Sequence, residues 1–274
     1  MTQPRASKPP EAQPVLVAID FTLDEVRLAL SPIGDDPMLR EVYPLPPSPA
    51  LADEAAWAWE IGGRISTLFA HEGQRRWAVG IAIACPGDVD EATGKMTRCV
   101  GRPEWDGLAV VDALRRHIDA PIVALDRTHA ALRGESEHGA ASDATDAIYV
   151  SLRGIPAAAL KTSGRVVNGA RGGAGMLPDF PVLDSDAAIA RETVEEIAGL
   201  LSDLAAFLDP AVVILEGTDA HLATLVPALQ RAIDAIAPGR AGPRVVAAAL
   251  GEDAALLGAL GAASIVAYEG ERSA

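Results

Sequence analysis

Short apolar runs alternate with polar or glycine-containing breaks along this chain. Val15-Leu16-Val17-Ala18-Ile19-Asp20 is an apolar run ending in an acid and reads as a buried strand. After the break Phe21-Thr22-Leu23-Asp24, the segment Glu25-Val26-Arg27-Leu28-Ala29-Leu30 alternates like a strand with one wet face, so the two predict a hairpin. A Pro-rich stretch at 44–49 leads into a helix over about 52–70, with Ala56, Trp59, Ile61, Ile65 and Leu68 as its apolar side. Residues 77–84 predict a buried strand stopped by Pro86-Gly87, residues 108–117 a helix, 121–125 a strand, and 128–137 a helix. Residues 147–152 and 157–161 predict two more strands, with Ser163-Gly164-Arg165 as the turn that follows, and a Gly-rich loop comes next at 168–175. A long helix over about 186–208 places Leu200, Leu201, Leu204 and Leu208 inward. Strand 211–215, helix 222–236, strand 244–250 and helix 253–268 complete the pattern.

A simple doubly wound sheet does not begin with a hairpin. The order instead fits two similar halves, each opening on one, at 15–30 and at 147–167. That repeat predicts an α/β chain of two domains with the actin-like ATPase and sugar-kinase (ribonuclease H-like) architecture, whose halves face a cleft. The expected organisation is a disordered, Pro-rich tail at 1–13, an N-terminal domain at 14–117 and a C-terminal domain at 118–252. The last helix, 253–270, is the element that would complete the first domain.

Composition narrows the function. The 274 residues are 49% hydrophobic but only 4% aromatic, which suits Ala, Val, Leu and Ile packed between helices and parallel strands. A formal charge of -15, from 23 basic and 38 acidic residues, argues against a nucleic-acid face, which needs clustered cations to displace counterions. Cys85 and Cys99 are too few for a disulfide framework and lack metal-ligand spacing, so both are expected as reduced thiols. No apolar run reaches membrane-spanning length and no signal-peptide order opens the chain, so the cytoplasm is the expected compartment.

Five segments in order resemble the ROK family of sugar kinases and repressors. Val79-Gly80-Ile81-Ala82-Ile83-Ala84-Cys85-Pro86-Gly87-Asp88-Val89-Asp90 is similar to its strand and Pro-Gly-x-Val-Asp segment, with Thr93-Gly94-Lys95 following. Pro103-Glu104-Trp105-Asp106-Gly107 resembles its Pro-Gly-Trp-x-Gly loop. Gly164-Arg165 with Gly169-Ala170-Arg171-Gly172-Gly173-Ala174-Gly175 resembles its glycine-rich signature. Leu250-Gly251 and Ala254-Ala255-Leu256-Leu257-Gly258-Ala259 resemble its closing motif.

The resemblance implies where chemistry would sit, and most of those positions have changed. The family's base is an aspartate in an Asn-Asp pair, here Leu125-Asp126, so Asp126 is the candidate base; it is equally suited to cap the helix beginning near Thr128. The Asp-x-Gly-Gly-Thr phosphate turn reads Asp20-Phe21-Thr22-Leu23-Asp24, with side chains at both glycine positions. The second phosphate turn reads Arg153-Gly154-Ile155-Pro156, and a Gly-Gly pair near the adenosine is replaced by Glu216-Gly217. At the sugar site the family's Asn is matched by Gly101, and its Glu-x-Gly-His by Met176-Leu177-Pro178-Asp179. That last change also removes the zinc-binding histidine of zinc-containing members. ATP and Mg²⁺, if bound, would rest on Asp20, Gly154 and Gly217, and a sugar on Gly101, Asp126, Met176 and Asp179.

Other residues have plainer readings. His129, three positions after Asp126, is expected on its helix surface or plugging the cleft rather than as a base. Trp57, Trp59, Trp77 and Trp105 read as core and loop anchors, and Glu192, Glu195 and Glu196 as a solvated helix face. The expected function is a regulatory or binding scaffold with lapsed catalysis, working through a protein partner or an altered small ligand. The alternative is an active ATP-dependent kinase of a hexose or amino sugar, with Asp126 as base and Asp20 helping to hold Mg²⁺. A DNA-binding repressor is third, since the opening thirteen residues supply no helix-turn-helix. A homodimer through the second domain is expected from the resemblance, supported by the aliphatic helix 186–208 and strand 211–215.

Overall fold

The computed structural model describes residues 12–33, 39–44, 54–70, 75–170, 172–177, 179–183, 188–236 and 241–272. The expected tail lies outside these residues except at its end, and so does most of the Pro-rich stretch. Two compact units divide the chain: residues 1–127 with 259–274, and residues 128–258. The change of unit thus falls after Arg127, not after His117, because the strand expected to open the second domain pairs into the first sheet.

The first unit holds β1 (Gln13–Phe21), β2 (Glu25–Pro32), β3 (Leu39–Pro44), α1 (Glu54–Phe69), β4 (Arg76–Cys85), the small ribbon β5 (Asp88–Asp90) and β6 (Lys95–Arg98), α2 (Val110–Arg115) and β7 (Ile122–Asp126). Its sheet runs β3-β2-β1-β4-β7. β1 pairs antiparallel with β2 and parallel with β4, which pairs parallel with β7. Helix α3 (Arg127–His138) passes from the first unit to the second. The second unit then adds β8 (Ala147–Ser151), β9 (Ala157–Thr162), β10 (Arg165–Val166), α4 (Arg191–Leu208), β11 (Val212–Glu216), α5 (Asp219–Ile236) and β12 (Arg244–Ala247). Its sheet runs β10-β9-β8-β11-β12, the order of the first sheet repeated. The internal repeat read from the two hairpins is therefore present, with a third strand in each half. Helix α6 (Ala254–Arg272) begins in the second unit and ends in the first.

The first sheet carries two cores of different grain. On one face of the first sheet, Val15, Val17, Ile19 and Phe21 of β1 meet Trp57, Ile61, Ile65 and Leu68 of α1. Positions 57, 61, 65 and 68 trace a helical stripe, and Trp59, two residues from Trp57, lies on the opposite side of the helix. It is 74% exposed, which corrects its expected role as an anchor. The other face is made of small residues, including Ala18, Ala82 and Ala84, and α6 lies on it so closely that a Cβ at Gly80 would collide with the Ala263 carbonyl oxygen.

In α4 the buried stripe is Val194, Ile197, Ala198, Leu201 and Ala205. Leu200 stands one residue out of that phase and faces solvent, against expectation. Strand β11 is central and wholly buried, so it offers no free surface to a second chain.

The turn between β9 and β10 puts Ser163 and Gly164 at positive φ. Asp146 secures it, accepting bonds from Thr145 Oγ1 (2.6 Å), Thr162 Oγ1 and Ser163 N (both 3.0 Å). These donors, the Thr145 hydroxyl foremost, hold its carboxyl below the usual carboxylate range. A depressed folded value means stabilisation that is present above the unfolded titration near about pH 4 and lost as pH falls through the folded value. Asp146→Asn is expected to flatten the decline of melting temperature below that pH.

Candidate functional site

β1, β4 and β7 run parallel, so their carboxyl ends lie along one edge of the first sheet, where α/β proteins place ligands. Asp20, Cys85 and Asp126 occupy the last two positions of these strands. The two candidate acids are thus brought to one edge. Their surroundings differ.

Asp20 is completely buried, and its carboxylate is already occupied. Arg127 Nε donates to Oδ1 at 2.8 Å and Nη2 to Oδ2 at 3.3 Å, while Arg27 Nη1 stands 3.7 Å from Oδ2. Removing a carboxylate from water is tolerable only with such a partner, and a two-pronged guanidinium is the best available. Both carboxylate oxygens of Asp20 thus already accept a guanidinium hydrogen bond. Asp126 is half-buried and directly precedes α3, so both its expected roles remain geometrically open.

The turn after Asp20 is closed by its own side chains. Thr22 N donates to Glu25 O (3.0 Å), and Thr22 Oγ1 accepts from Asp24 N (3.3 Å) and Glu25 N (3.1 Å). The amides of Thr22, Asp24 and Glu25 are therefore already bonded within the turn. Phe21 turns into the core between Trp57 and Trp105, at ring-centroid distances of 5.7 and 4.7 Å. Arg102 covers Trp105 at 5.2 Å and donates through Nη2 to Leu23 O at 3.0 Å. The loop containing Trp105 thus packs on the turn and holds it. Gly101, the position matched to a sugar-binding Asn, is exposed in the turn just before Arg102.

Burial, then the charge of Asp126, pushes the Cys85 thiol far up, and burial likewise raises Cys99. Cys99 Sγ donates to Pro86 O at 3.3 Å, which secures the Pro86-Gly87 turn.

In the second unit the carboxyl ends of β8, β11 and β12 define the matching edge. Gly154 has positive φ and open space beside it, as a phosphate turn requires. The residue before it decides the electrostatics. Arg153 Nη1 pairs with Glu252 Oε1 at 2.8 Å, Nη2 reaches Gly217 O at 3.5 Å, and Nε stands 3.7 Å from Glu216 Oε1. Gly154 and Gly217 are therefore brought together, but with two carboxylates and one guanidinium between the elements that carry them.

The glycine-rich loop folds back on β9: Ala158 N donates to Gly175 O (2.8 Å), and a Cβ at Gly175 would strike Ala158 O. His129 is buried, not on a helix surface, and its Nε2 lies 2.9 Å from Ala174 O. A carbonyl only accepts, so Nε2 carries the proton and the ring anchors the loop. Met176 is half exposed beside Ala157, and Asp179 is exposed at positive φ.

Solved structures share this fold. A ROK family transcriptional regulator, described as a homolog of the E. coli MLC protein, superposes with a TM-score of 0.76 at 14% identity, over 95% of this chain and 80% of that one. The ROK hexokinase from Thermus thermophilus gives 0.71 at 21% identity, over 95% of this chain and all of that one (100%). A ROK family glucokinase from Streptomyces griseus, in complex with glucose and AMPPNP, gives 0.69 at 17%, over 91% and 99%.

The chain has the ROK fold.

No family model and no curated protein matches the sequence. At these identities the likeness speaks for the ROK fold and not for an activity. Within that fold, what sequence reasoning missed are the pairings of Arg127 with Asp20 and of Arg153 with Glu252. None of the described helices is long and apolar enough to cross a membrane, and no group of three or more His, Cys, Asp or Glu among the described residues is placed to hold a metal ion.

Proposed function

We propose that this ROK-fold chain is a regulatory or binding scaffold that does not transfer phosphate. The observation that carries the reading is Asp20, buried with both carboxylate oxygens held by Arg127. The closed turn beyond it and the carboxylates around Arg153 support the same reading from both units. Phosphoryl transfer depends on positioned cations and amides around the phosphates. At these edges Arg127 and Arg153 already pair with carboxylates, and the Thr22, Asp24 and Glu25 amides already bond within their turn. With ATP, Mg²⁺ and common hexoses or amino sugars, a coupled assay is expected to show no phosphorylation above buffer. Turnover near or above about one per second, abolished by Asp126→Asn, would establish the kinase alternative instead. The surplus of negative charge also predicts no specific duplex DNA binding at physiological salt. A footprint at a defined site with submicromolar affinity would contradict that.

We infer that such a scaffold works as a homodimer through α4. Phe207 is 86% and Leu200 45% exposed, seven residues or about two turns apart on the outer face of that helix. A two-fold contact is the commonest way to cover such a stripe. Light scattering at micromolar concentration is expected to give twice the 28.4 kDa chain mass, and Leu200→Glu with Phe207→Glu the single mass. A monomer at all concentrations before substitution refutes the dimer.

A further inference from the structure

Glu216 is the last residue of β11, at the carboxyl edge of the second sheet, and it is only 2% exposed. Its Oε2 is buried with no hydrogen-bond donor among the described residues. The Arg153 guanidinium, 3.7 Å from Oε1, stands beyond hydrogen-bond length, and its close partner is instead Glu252, whose side chain is 63% exposed. A buried carboxylate oxygen without a donor is costly, and natural proteins rarely keep one that nothing ever satisfies. β11 passes through Gly217-Thr218 straight into the positive end of the eighteen-residue helix α5. Beside it the carboxylates of Glu216 and Glu252 flank the guanidinium of Arg153. Gly154 and Gly251, beside Arg153 and Glu252 in the chain, both have positive φ and no atom within 4 Å of the place a Cβ would take, so there is room at this edge.

We propose that Glu216 is the receptor for a compact organic cation bearing N–H donors, an alkylguanidinium or alkylammonium group, and that Arg153 occupies its place until it binds. The ligand's N–H groups bond the Glu216 carboxylate while Arg153 swings outward with Glu252, where both side chains already meet solvent. Because Arg153 competes from within the chain, the unmodified protein binds more weakly than the site itself allows. The inference rests on the non-catalytic reading above and gives that scaffold a ligand class.

Isothermal titration of the full chain with agmatine, with propylguanidinium, with propylammonium and with ATP tests it. Agmatine is expected to bind Arg153→Ala at least about tenfold more tightly than the unmodified chain, because the internal competitor is gone. Adding Glu216→Gln to that variant should remove the gain, and ATP should bind none of these proteins. Agmatine carries an ammonium beside its guanidinium, so the two head groups are separated with matched monocations. Tighter binding of propylguanidinium than of propylammonium identifies a guanidinium site, the reverse an ammonium site. If the Gln variant does not fold, Glu216→Asp keeps the charge but shortens its reach, and should weaken agmatine binding with the melting temperature held. Failure of all these cations to saturate Arg153→Ala below about 10 mM, or equal affinity with and without Arg153, overturns the proposal. ATP binding accompanied by sugar turnover would instead overturn the non-catalytic reading on which it rests.

Discussion

Arg127→Met is expected to lower stability by about 3–5 kcal/mol, read as a fall in the urea midpoint at unchanged slope. The size follows from what the substitution leaves behind. Asp20 is fully buried on β1, so its carboxylate cannot recover water when the guanidinium goes. Arg27 remains at 3.7 Å, too far to replace two hydrogen bonds of 2.8 and 3.3 Å. An exposed ion pair would cost under about 1 kcal/mol when broken, and a loss that small would show that the lock contributes little. A second variant separates the cost of an orphaned charge from the value of the pair. Asp20→Leu with Arg127→Met removes both charges, and is expected to regain a large part of the loss, because well-packed apolar groups commonly match a buried ion pair. The pair therefore reads as a feature that fixes the end of β1 and the start of α3, at a position where a kinase would need its acid free.

Much of the fold was legible because periodicity reports burial. The β1–β2 hairpin follows from alternation in residues 25–30, and the parallel strands β4, β7, β8 and β11 from short apolar runs. Strand β3 was missed: Leu39-Arg40-Glu41-Val42-Tyr43 sets two charges side by side and has no clear period of two. The phase of α1 was misread at Trp59 although the information was present, since Trp57 lies one turn before Ile61 and Trp59 does not. The site was harder. Asp20 and Arg127 are 107 residues apart, and Arg153 and Glu252 are 99 apart, so no local pattern marks either pair. One signal was available: an acid ending a fully apolar strand needs a cation nearby, and Arg127 follows the next strand-ending acid directly. Reading losses at glycine positions found that the phosphate turns had changed. It did not find that Asp20 and Arg153 had acquired charged partners, which only the sheet order brings together.

Gly80→Val should also destabilise strongly, although it gives β4 a residue that strands favour. Two effects oppose each other at this position. Valine in place of glycine improves strand propensity by up to about 1 kcal/mol. Against that, a Cβ at Gly80 would overlap the Ala263 carbonyl oxygen and come within 2.9 Å of Ala267 Cβ, both on α6. Overpacking of a tight contact costs typically about 1–3 kcal/mol, and more when the obstacle is backbone that cannot rotate away. The helix cannot simply retreat, because Ala262 and Ala263 are themselves buried. Collision should therefore outweigh propensity, lowering the midpoint of thermal unfolding by several degrees, as about 1 kcal/mol shifts it by 2–4 °C in chains of this size. The choice of rescue distinguishes the cause. Ala267→Gly relieves the side-chain contact but leaves the carbonyl in place, so the double variant Gly80→Ala with Ala267→Gly should stay less stable than Ala267→Gly alone. A double variant at least as stable as Ala267→Gly would mean that α6 is free to shift on the small-residue face, and that the close approach is not what Gly80 is there to allow.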